Sequence, residues 1–368
     1  MFSKRAFVTA LVVAFVAGLI ASLALRSTVG PAVVASHSSE GVARRIHWRV
    51  PLSTAQNLPG SGETIVWLAE NVAAASGGTI HLDLFDPGEI VPAFAITDAV
   101  RDGKVQAGIT WLGYDQGKIP SSALFGATPF GLDPPGYISW WFFGGGRELA
   151  DEVYGEHNVK PLFCMITGPE TAGWFSTPIE SSADLKGLKI RFAGVGGKVM
   201  QRLGASITML PSGEIFQALE TGVIDATEFS QPITDKALGF SRIAKYNYFP
   251  GWHQPFSASH LIVNIDVWNA LASADQVFLE SMCTATVARQ YGLSESLQGP
   301  IIREYRDSGV EARYLPREML LELKRTADEV LNEEAENDEY FKRVLASQRD
   351  FKAMYGEWKS LAYLPSDL

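Results

Sequence analysis

One arginine stands where proteins commonly place a group that binds a carboxylate. Arg191 ends the segment Asp184–Arg191 (DLKGLKIR), whose last residues predict a strand, and the glycine-rich residues Ala193–Gly197 follow. Glycines at this position allow a tight turn into a helix. A guanidinium at the carboxyl end of a strand, facing a cleft, suits bidentate capture of a carboxylate. The same spacing also fits an exposed surface arginine, so both interpretations stay open at this point.

The sequence motifs of several other kinds of site are missing. There is no GxxxxGK[ST], no GxSxG and no HExxH, and the six histidines are scattered. The glycines at Gly144–Gly146 lack the strand-to-helix setting of a dinucleotide-binding loop. Cys164 and Cys283 either form a disulfide in an oxidising compartment or remain two buried thiols. The sequence therefore predicts no organic cofactor and no catalytic residues.

Composition and charge narrow the class of protein further. The chain has 368 residues, of which 46% are hydrophobic and 20% are charged, as in a globular protein. This length allows roughly two domains, each with its own core. The formal net charge of −10 argues against binding of nucleic acid, which requires clustered lysine and arginine.

The N-terminus has the pattern of an export signal. Lys4 and Arg5 precede an uncharged, mostly apolar run from Ala6 to Leu25, and the small residues of Val33–Ala35 suggest cleavage after Ala35. The run is also long enough to span a bilayer, so a retained N-terminal membrane anchor is the alternative. Residues 36–44 are then a linker. In either case we expect the body of the chain to lie in the periplasm.

Elements of both secondary-structure types alternate through the body of the chain. Strands that are each followed by a helix predict an α/β fold with a mostly parallel sheet. Apolar periodicity predicts long C-terminal helices at Ala274–Glu304 and Pro316–Ser347. Glycine–proline clusters at Thr167–Pro169 and Pro250–Gly251 mark places where the chain passes between two lobes. A ligand would then bind in the cleft between the lobes.

This organisation predicts specific domain boundaries. Lobe I comprises residues 45–167 and 256–296, lobe II comprises 168–255 and 297–350, and 351–368 is a C-terminal tail.

Three segments make the chain resemble a known family. Asp184–Arg191, the stretch from Pro211 to Ala226 and the Asn264–Trp268 segment are similar to those of the extracytoplasmic solute receptors of TRAP transporters, the DctP-type family. The resemblance runs from about Ile46 to Arg343. It implies a two-lobed periplasmic-binding-protein fold that delivers an organic acid to a membrane permease. It also implies that Arg191 pairs with the carboxylate of the ligand.

A narrower resemblance is to the 2-oxo acid-binding branch of that family. The segments that carry it are Ala172–Phe175, Thr227–Phe229 and Tyr248–Trp252. In that branch a glutamine before the first segment, a glutamate in the second and a glutamate after the third help to bind a cation. The cation then bridges to the carboxylate and oxo oxygens of the ligand.

This sequence departs from the branch at four positions. Glu170 stands where glutamine is usual, Gln254 where glutamate is usual, and Phe229 and His253 where tryptophan is usual. Two carboxylates and one amide remain, exchanged between positions, and such oxygen ligands suit Na⁺ or Ca²⁺. We therefore predict a metal site formed by the side chains of Glu170, Glu228 and Gln254 and the main-chain oxygen of Phe229. In the alternative, no metal binds, and Gln254 and His253 form hydrogen bonds to hydroxyls of the ligand.

Aromatic residues complete the predicted ligand site. Trp111 and Tyr114 follow the third strand, where a wall of the cleft is expected. Phe229 and Trp252 lie in matched segments and would enclose a short aliphatic group. Any single aromatic residue is more often part of the core than of a pocket.

Together these features predict a periplasmic receptor that closes on a small monocarboxylate, a 2-oxo or 2-hydroxy acid, together with Na⁺ or Ca²⁺. Its expected partners are the acid and the permease subunits, and a homodimer is possible. Two alternatives remain: a metal-free receptor for a sugar acid or an ectoine-like zwitterion, and a periplasmic metal-dependent hydrolase or lyase using Glu170 or Glu228 as a base.

Overall fold

The computed structural model describes residues 45–364, together with Val16. The chain divides into two units, residues 1–44 and 45–368, and the fold described below is that of the second. The predicted signal or anchor and the linker lie outside the described residues, apart from Val16. Within the described part of the chain, no helix has both the length and the apolar character needed to cross a membrane.

The second unit alternates strands and helices. The strands are β1 (Ile46–Pro51), β2 (Ile80–Phe85), β3 (Ala107–Trp111), β4 (Val159–Ile166), β5 (Gly173–Phe175), β6 (Lys189–Arg191), β7 (Ser206–Thr208), β8 (Ala226–Thr227), β9 (Tyr246–Phe249), β10 (Ala258–Asn264) and β11 (Glu311–Tyr314). The helices are α1 (Gly62–Ala75), α2 (Ile96–Arg101), α3 (Ser122–Gly126), α4 (Pro134–Phe143), α5 (Gly146–Gly155), α6 (Gly194–Arg202), α7 (Ser212–Glu220), α8 (Pro232–Ala237), α9 (Ile265–Asn269), α10 (Ser273–Asp307), α11 (Arg317–Asn337) and α12 (Glu339–Ala362).

The first group of strands contains β1 to β4 and β10. β1 pairs in parallel with β2, and a single bridge from Leu52 to Ile109 connects it to β3. β10 lies between β3 and β4. All five residues of β3 and six of the seven in β10 are buried, because helices cover this sheet.

The second group forms one six-stranded sheet in the order β11-β9-β5-β8-β6-β7. β6 pairs in parallel with both β7 and β8. Trp174, in β5, is completely buried against Ile215 and Phe240 in the core of this part. The carboxyl ends of β6 and β8 therefore meet at one edge of this sheet.

The expectation of a mostly parallel sheet is wrong. β10 is antiparallel to both β3 and β4, and β5 is antiparallel to both β8 and β9. The sequence argument assumed that each strand is followed by a helix that returns the chain to the same edge. β10 instead follows the strands of the second group along the chain. It crosses back into the first group and runs antiparallel to β3 and β4.

The second predicted C-terminal helix is interrupted in the structure, and the helical region continues beyond Ser347 to Ala362. The periodicity predicted one helix over Pro316–Ser347, but the structure has two, α11 and α12, separated at Asp338. The extended backbone of Asp338 ends α11, and its carboxylate accepts a hydrogen bond from the main-chain N–H of Phe341 at 2.6 Å, which caps α12. The apolar spacing continues across the cap, which is why the sequence pattern did not reveal the break.

One disulfide joins the first group of strands to the long helix α10. Cys164 in β4 is bonded to Cys283 in α10, and both side chains are buried. Of the two states that the sequence allowed, the structure has the disulfide.

Candidate functional site

Arg191 and Glu228 are brought together by neighbouring strands. Arg191 ends β6 opposite Thr227 of β8, so Glu228 leaves the sheet at the same edge. Nη1 of Arg191 donates to the main-chain oxygen of Glu228 at 2.7 Å and to its Oε1 at 2.8 Å, and Nε donates to the oxygen of Leu210 at 3.2 Å. The exposed fraction is 1% for Arg191 and 0% for Glu228. The alternative of an exposed surface arginine is therefore wrong.

Glu170 is fixed by the segment that follows β9. Its main-chain N–H donates to the oxygen of Gln254 at 3.3 Å, and its own oxygen accepts from the N–H of Gly251 at 3.1 Å. A Cβ atom at position 251 would lie 2.4 Å from the oxygen of Glu170, so this approach requires glycine. The segment thereby brings Glu170, His253 and Gln254 to the same site.

The two glutamates have different electrostatic environments. Burial and the nearby charge of Glu228 raise the pKa of Glu170 well above its usual value. Burial alone would also raise the pKa of Glu228, but the positive charge of Arg191, the neighbouring imidazole of His253 and the N–H of Ala193 hold it below its usual value. Burial raises the pKa of the Tyr114 hydroxyl, which therefore stays a neutral hydrogen-bond donor beside Arg191.

Several polar atoms of this cluster converge without satisfying one another. Oε2 of Glu170, Oε2 of Glu228 and both ring nitrogens of His253 are buried and have no hydrogen-bond partner among the described residues. Nε2 of His253 lies 3.4 Å from Oε2 of Glu228 and 3.9 Å from Oε2 of Glu170. One ligand atom from each of the three residues lies within 4.8 Å of the others. Buried polar atoms are normally paired, so this arrangement fits a bound cation.

The cluster borders a small cavity between the two groups of strands. The cavity volume is ≈ 60 Å³, and Arg191, Glu170, Gln254 and Phe229 are among the residues that line it. One water molecule needs roughly 10–15 Å³ of cavity volume, so this cavity could hold on the order of four to six water-sized groups. The cavity therefore has room for a compact acid.

The predicted aromatic residues divide into two groups. Trp111, Tyr114 and Phe229 line the cavity, and the ring of Phe229 lies 5.2 Å from the guanidinium carbon of Arg191. Trp252 packs behind the cavity wall, where its indole ring lies 5.7 Å from that of Phe130 and 5.6 Å from the imidazole of His253.

Sequence reasoning missed much of the polar lining. The missed residues come from distant segments and carry hydroxyl or amide groups: Ser53, Thr54, Ser61, Thr167, Ser230, Ser257, Ser259 and Gln290. Isolated serines and threonines have no distinctive spacing, so no sequence signal pointed to them. His253 was considered only as a hydrogen-bonding residue, although its position between the matched segment Tyr248–Trp252 and the predicted ligand Gln254 was a usable signal for a metal ligand.

The chain matches one protein family over most of its length. Residues 54–338 match the family described as bacterial extracellular solute-binding protein, family 7. The chain belongs to this family. Its members are TRAP solute-binding receptors and not enzymes, which confirms the resemblance, the fold class and the predicted absence of enzymatic activity. The family is periplasmic, binds small organic acids and works with membrane permease components.

Comparisons with individual proteins support the resemblance to the 2-oxo acid-binding branch. The chain is 32% identical over 316 residues to a monocarboxylate 2-oxoacid-binding periplasmic protein from Nostoc sp. strain PCC 7120, covering 85% of this chain and 86% of the relative. It is also similar to the crystal structure of a TRAP periplasmic solute binding protein from Colwellia psychrerythraea with bound calcium and pyruvate, at 31% identity and a TM-score of 0.83. A corresponding protein from Pseudoalteromonas atlantica, with bound sodium and pyruvate, is 29% identical and also has a TM-score of 0.83. Each alignment covers 86% of this chain and 97% of the other.

Proposed function

We propose that this TRAP receptor binds a small monocarboxylate of the 2-oxo or 2-hydroxy acid class together with a metal cation. The observation that carries the proposal is a small cavity lined by the buried Arg191 and by Glu170, whose Oε2 lacks a partner among the described residues. The size of the cavity favours a short acid, and both similar crystal structures contain pyruvate.

Arg191 would bind the carboxylate of the acid. Its guanidinium lines the cavity and is held in place by oxygens of Leu210 and Glu228, so little side-chain freedom is lost on binding. Because the group is almost completely buried, its attraction for an anion is weakly screened by water. Tyr114 would donate a further hydrogen bond from the same wall.

A cation would be held by Glu170, Glu228, the main-chain oxygen of Phe229 and the amide oxygen of Gln254. Calcium and sodium, the ions in the two similar structures, accept such oxygen ligands. When bound, the cation would supply positive charge to which the carboxylate and oxo oxygens of the acid can chelate.

Binding would be coupled to closure of two lobes, with boundaries as predicted from the sequence. The cavity is lined by residues from both groups of strands, including Ser53 and Trp111 from the first and Arg191 and Ser230 from the second. A ligand that contacts both groups stabilises the closed state to the extent that it prefers that state. We propose that the closed receptor, located in the periplasm, then docks on the permease subunits, and that a homodimer forms.

Calorimetric titration of pyruvate into the purified, metal-free protein, with and without added Ca²⁺ or Na⁺, tests the proposal. We expect binding that is strengthened by a cation, and a melting temperature that rises with the acid by mass action. A sugar acid and ectoine serve as comparison ligands. Tighter binding of either of them without metal would contradict the proposal and favour the metal-free receptor.

A further inference from the structure

One imidazole reaches the candidate metal site although it was not among the predicted metal ligands. The side chain of His253 is completely buried and is packed by the ring of Phe192 at a centroid distance of 4.6 Å. A Cβ atom at position 196 would lie 2.7 Å from the Cβ of His253, so Gly196 allows this approach. The ring is therefore fixed with Nε2 towards Oε2 of Glu228 and Oε2 of Glu170.

A second buried histidine shows what is particular to this position. Both ring nitrogens of His260 also lack hydrogen-bond partners among the described residues. Its ring, however, lies beside Trp141 and Phe163, at centroid distances of 5.0 and 5.7 Å. Missing partners alone therefore do not indicate a metal ligand. His253 differs because its nitrogen converges with two carboxylate oxygens that also lack partners.

The formal charges of the site favour a divalent ion over a monovalent one. Carboxylates are ionised when they bind a metal, so Glu170, Glu228 and a bound monocarboxylate then each contribute one negative charge, and Arg191 contributes one positive charge. A divalent cation brings the total to zero, whereas Na⁺ leaves one uncompensated negative charge. Uncompensated charge is costly in a buried site.

The nitrogen ligand favours a particular class of divalent ion. Calcium and sodium are bound mainly by oxygen atoms, whereas imidazole suits first-row transition ions. We infer that His253 is a metal ligand and that, together with Glu170 and Glu228, it makes the site select a divalent first-row transition ion, with Zn²⁺ or Mn²⁺ as probes. This inference rests on the proposed function, because the ion would occupy the position from which the acid is chelated.

The test compares matched histidine variants. Zn²⁺, Mn²⁺ and Ca²⁺ are titrated separately into metal-free wild type, His253→Phe and His260→Phe, with pyruvate absent and then present. In wild type we expect Zn²⁺ and Mn²⁺ to bind more tightly than Ca²⁺. We expect His253→Phe to weaken Zn²⁺ binding by roughly tenfold or more while changing Ca²⁺ binding much less. His260→Phe should leave the ratio of the two affinities unchanged.

A spectroscopic readout is independent of acid binding. Protein loaded with Co²⁺ should show visible absorption bands that shift when His253 is replaced and stay the same when His260 is replaced. If His253→Phe does not fold, His253→Asn removes the imidazole with a smaller side chain.

Specific results would overturn the inference. Tighter binding of Ca²⁺ than of Zn²⁺ and Mn²⁺ in wild type, or equal loss of Zn²⁺ and Ca²⁺ affinity in His253→Phe, would contradict a role for the imidazole. If pyruvate still binds with Ca²⁺ in that case, the proposed function stands and only the selectivity is wrong. If pyruvate binds with none of the ions, the proposed function fails, and the metal titrations alone decide the role of His253.

Discussion

Three buried carboxylates near the second group of strands differ in how their oxygens are satisfied. Asp235 is completely buried, yet its Oδ2 accepts from Nε1 of Trp174 at 2.8 Å and its Oδ1 accepts from the N–H of Ser230 at 3.1 Å. Glu170 and Glu228 are similarly buried, and each keeps one oxygen without a partner among the described residues.

The comparison separates Asp235, whose oxygens are both hydrogen-bonded, from Glu170 and Glu228, which we propose bind the cation. Both groups are attached to the same segments, since Ser230 follows Glu228 by two positions and Thr171, which donates to Asp235, directly follows Glu170. Asp235 therefore fixes the backbone of these segments, while Oε2 of Glu170 and Oε2 of Glu228 remain without partners among the described residues. Burial therefore does not distinguish Asp235 from the two glutamates, whereas the unsatisfied oxygens of Glu170 and Glu228 do.

The largest expected effect is the loss of acid affinity when Arg191 is replaced. Arg191 lines the cavity and pairs with Glu228. Arg191→Ala removes the buried charge partner of both Glu228 and the acid, so we expect acid binding to weaken by about 2–5 kcal/mol. Arg191→Lys is the control, because it keeps the positive charge but not the paired N–H donors of the guanidinium. It should lose less affinity for the acid. Calorimetry with pyruvate measures both variants, and an unchanged affinity in Arg191→Ala would contradict its role.

The disulfide tests whether stability and binding can be separated. Cys164→Ser combined with Cys283→Ser removes a link between residues 119 positions apart, and we expect the free energy of unfolding to fall by about 2–4 kcal/mol. Denaturant unfolding measures this loss. Because neither cysteine lines the cavity, pyruvate affinity below the melting temperature should be retained. A parallel loss of affinity would show that the scaffold and the site are coupled.

Paired substitutions test the carboxylate comparison itself. Glu170→Gln removes one negative charge from the proposed metal site but keeps an oxygen donor, so we expect cation binding to weaken by about tenfold. Asp235→Asn disturbs hydrogen bonds that fix the backbone, so it should lower the melting temperature and leave cation affinity nearly unchanged. Metal titrations and thermal unfolding of both variants provide the data. The comparison fails if Asp235→Asn weakens cation binding as strongly as Glu170→Gln.

A further expected effect is on the pH dependence of stability. Burial raises the pKa of Asp235 from 3.8 to about 7. A raised folded-state pKa gives a stabilising contribution that is fully present below the unfolded value and is lost as pH rises through the folded value. The difference in unfolding free energy between wild type and Asp235→Asn should therefore decrease between about pH 4 and pH 8. Urea unfolding across this range checks it, and a constant difference would rule out this titration.

Local patterns predicted a substantial part of the fold. Apolar periodicity predicted a long helix at Ala274–Glu304, close to the observed α10 (Ser273–Asp307). The direction of β10 was not predictable in the same way, because pairing with β3 and β4 depends on contacts between distant parts of the chain. The break at Asp338 was missed because apolar spacing continues across it.

The candidate site was also predicted only in part, because sequence motifs identify residues but not how they pack. Arg191, Glu170, Glu228 and Gln254 lie in segments that resemble family motifs, and the structure brings these four residues together. The roles given to them remain proposals. The unsatisfied state of the carboxylate oxygens, and the approach of His253 to them, depend on three-dimensional packing that no sequence spacing encodes.

A crystal structure of the protein with pyruvate and Ca²⁺ tests the central claim most directly. The account predicts that the pyruvate carboxylate contacts the guanidinium of Arg191 and that Glu170 and Glu228 coordinate an ion which also contacts pyruvate. A structure in which pyruvate binds away from Arg191, with neither glutamate near the ion, would contradict it.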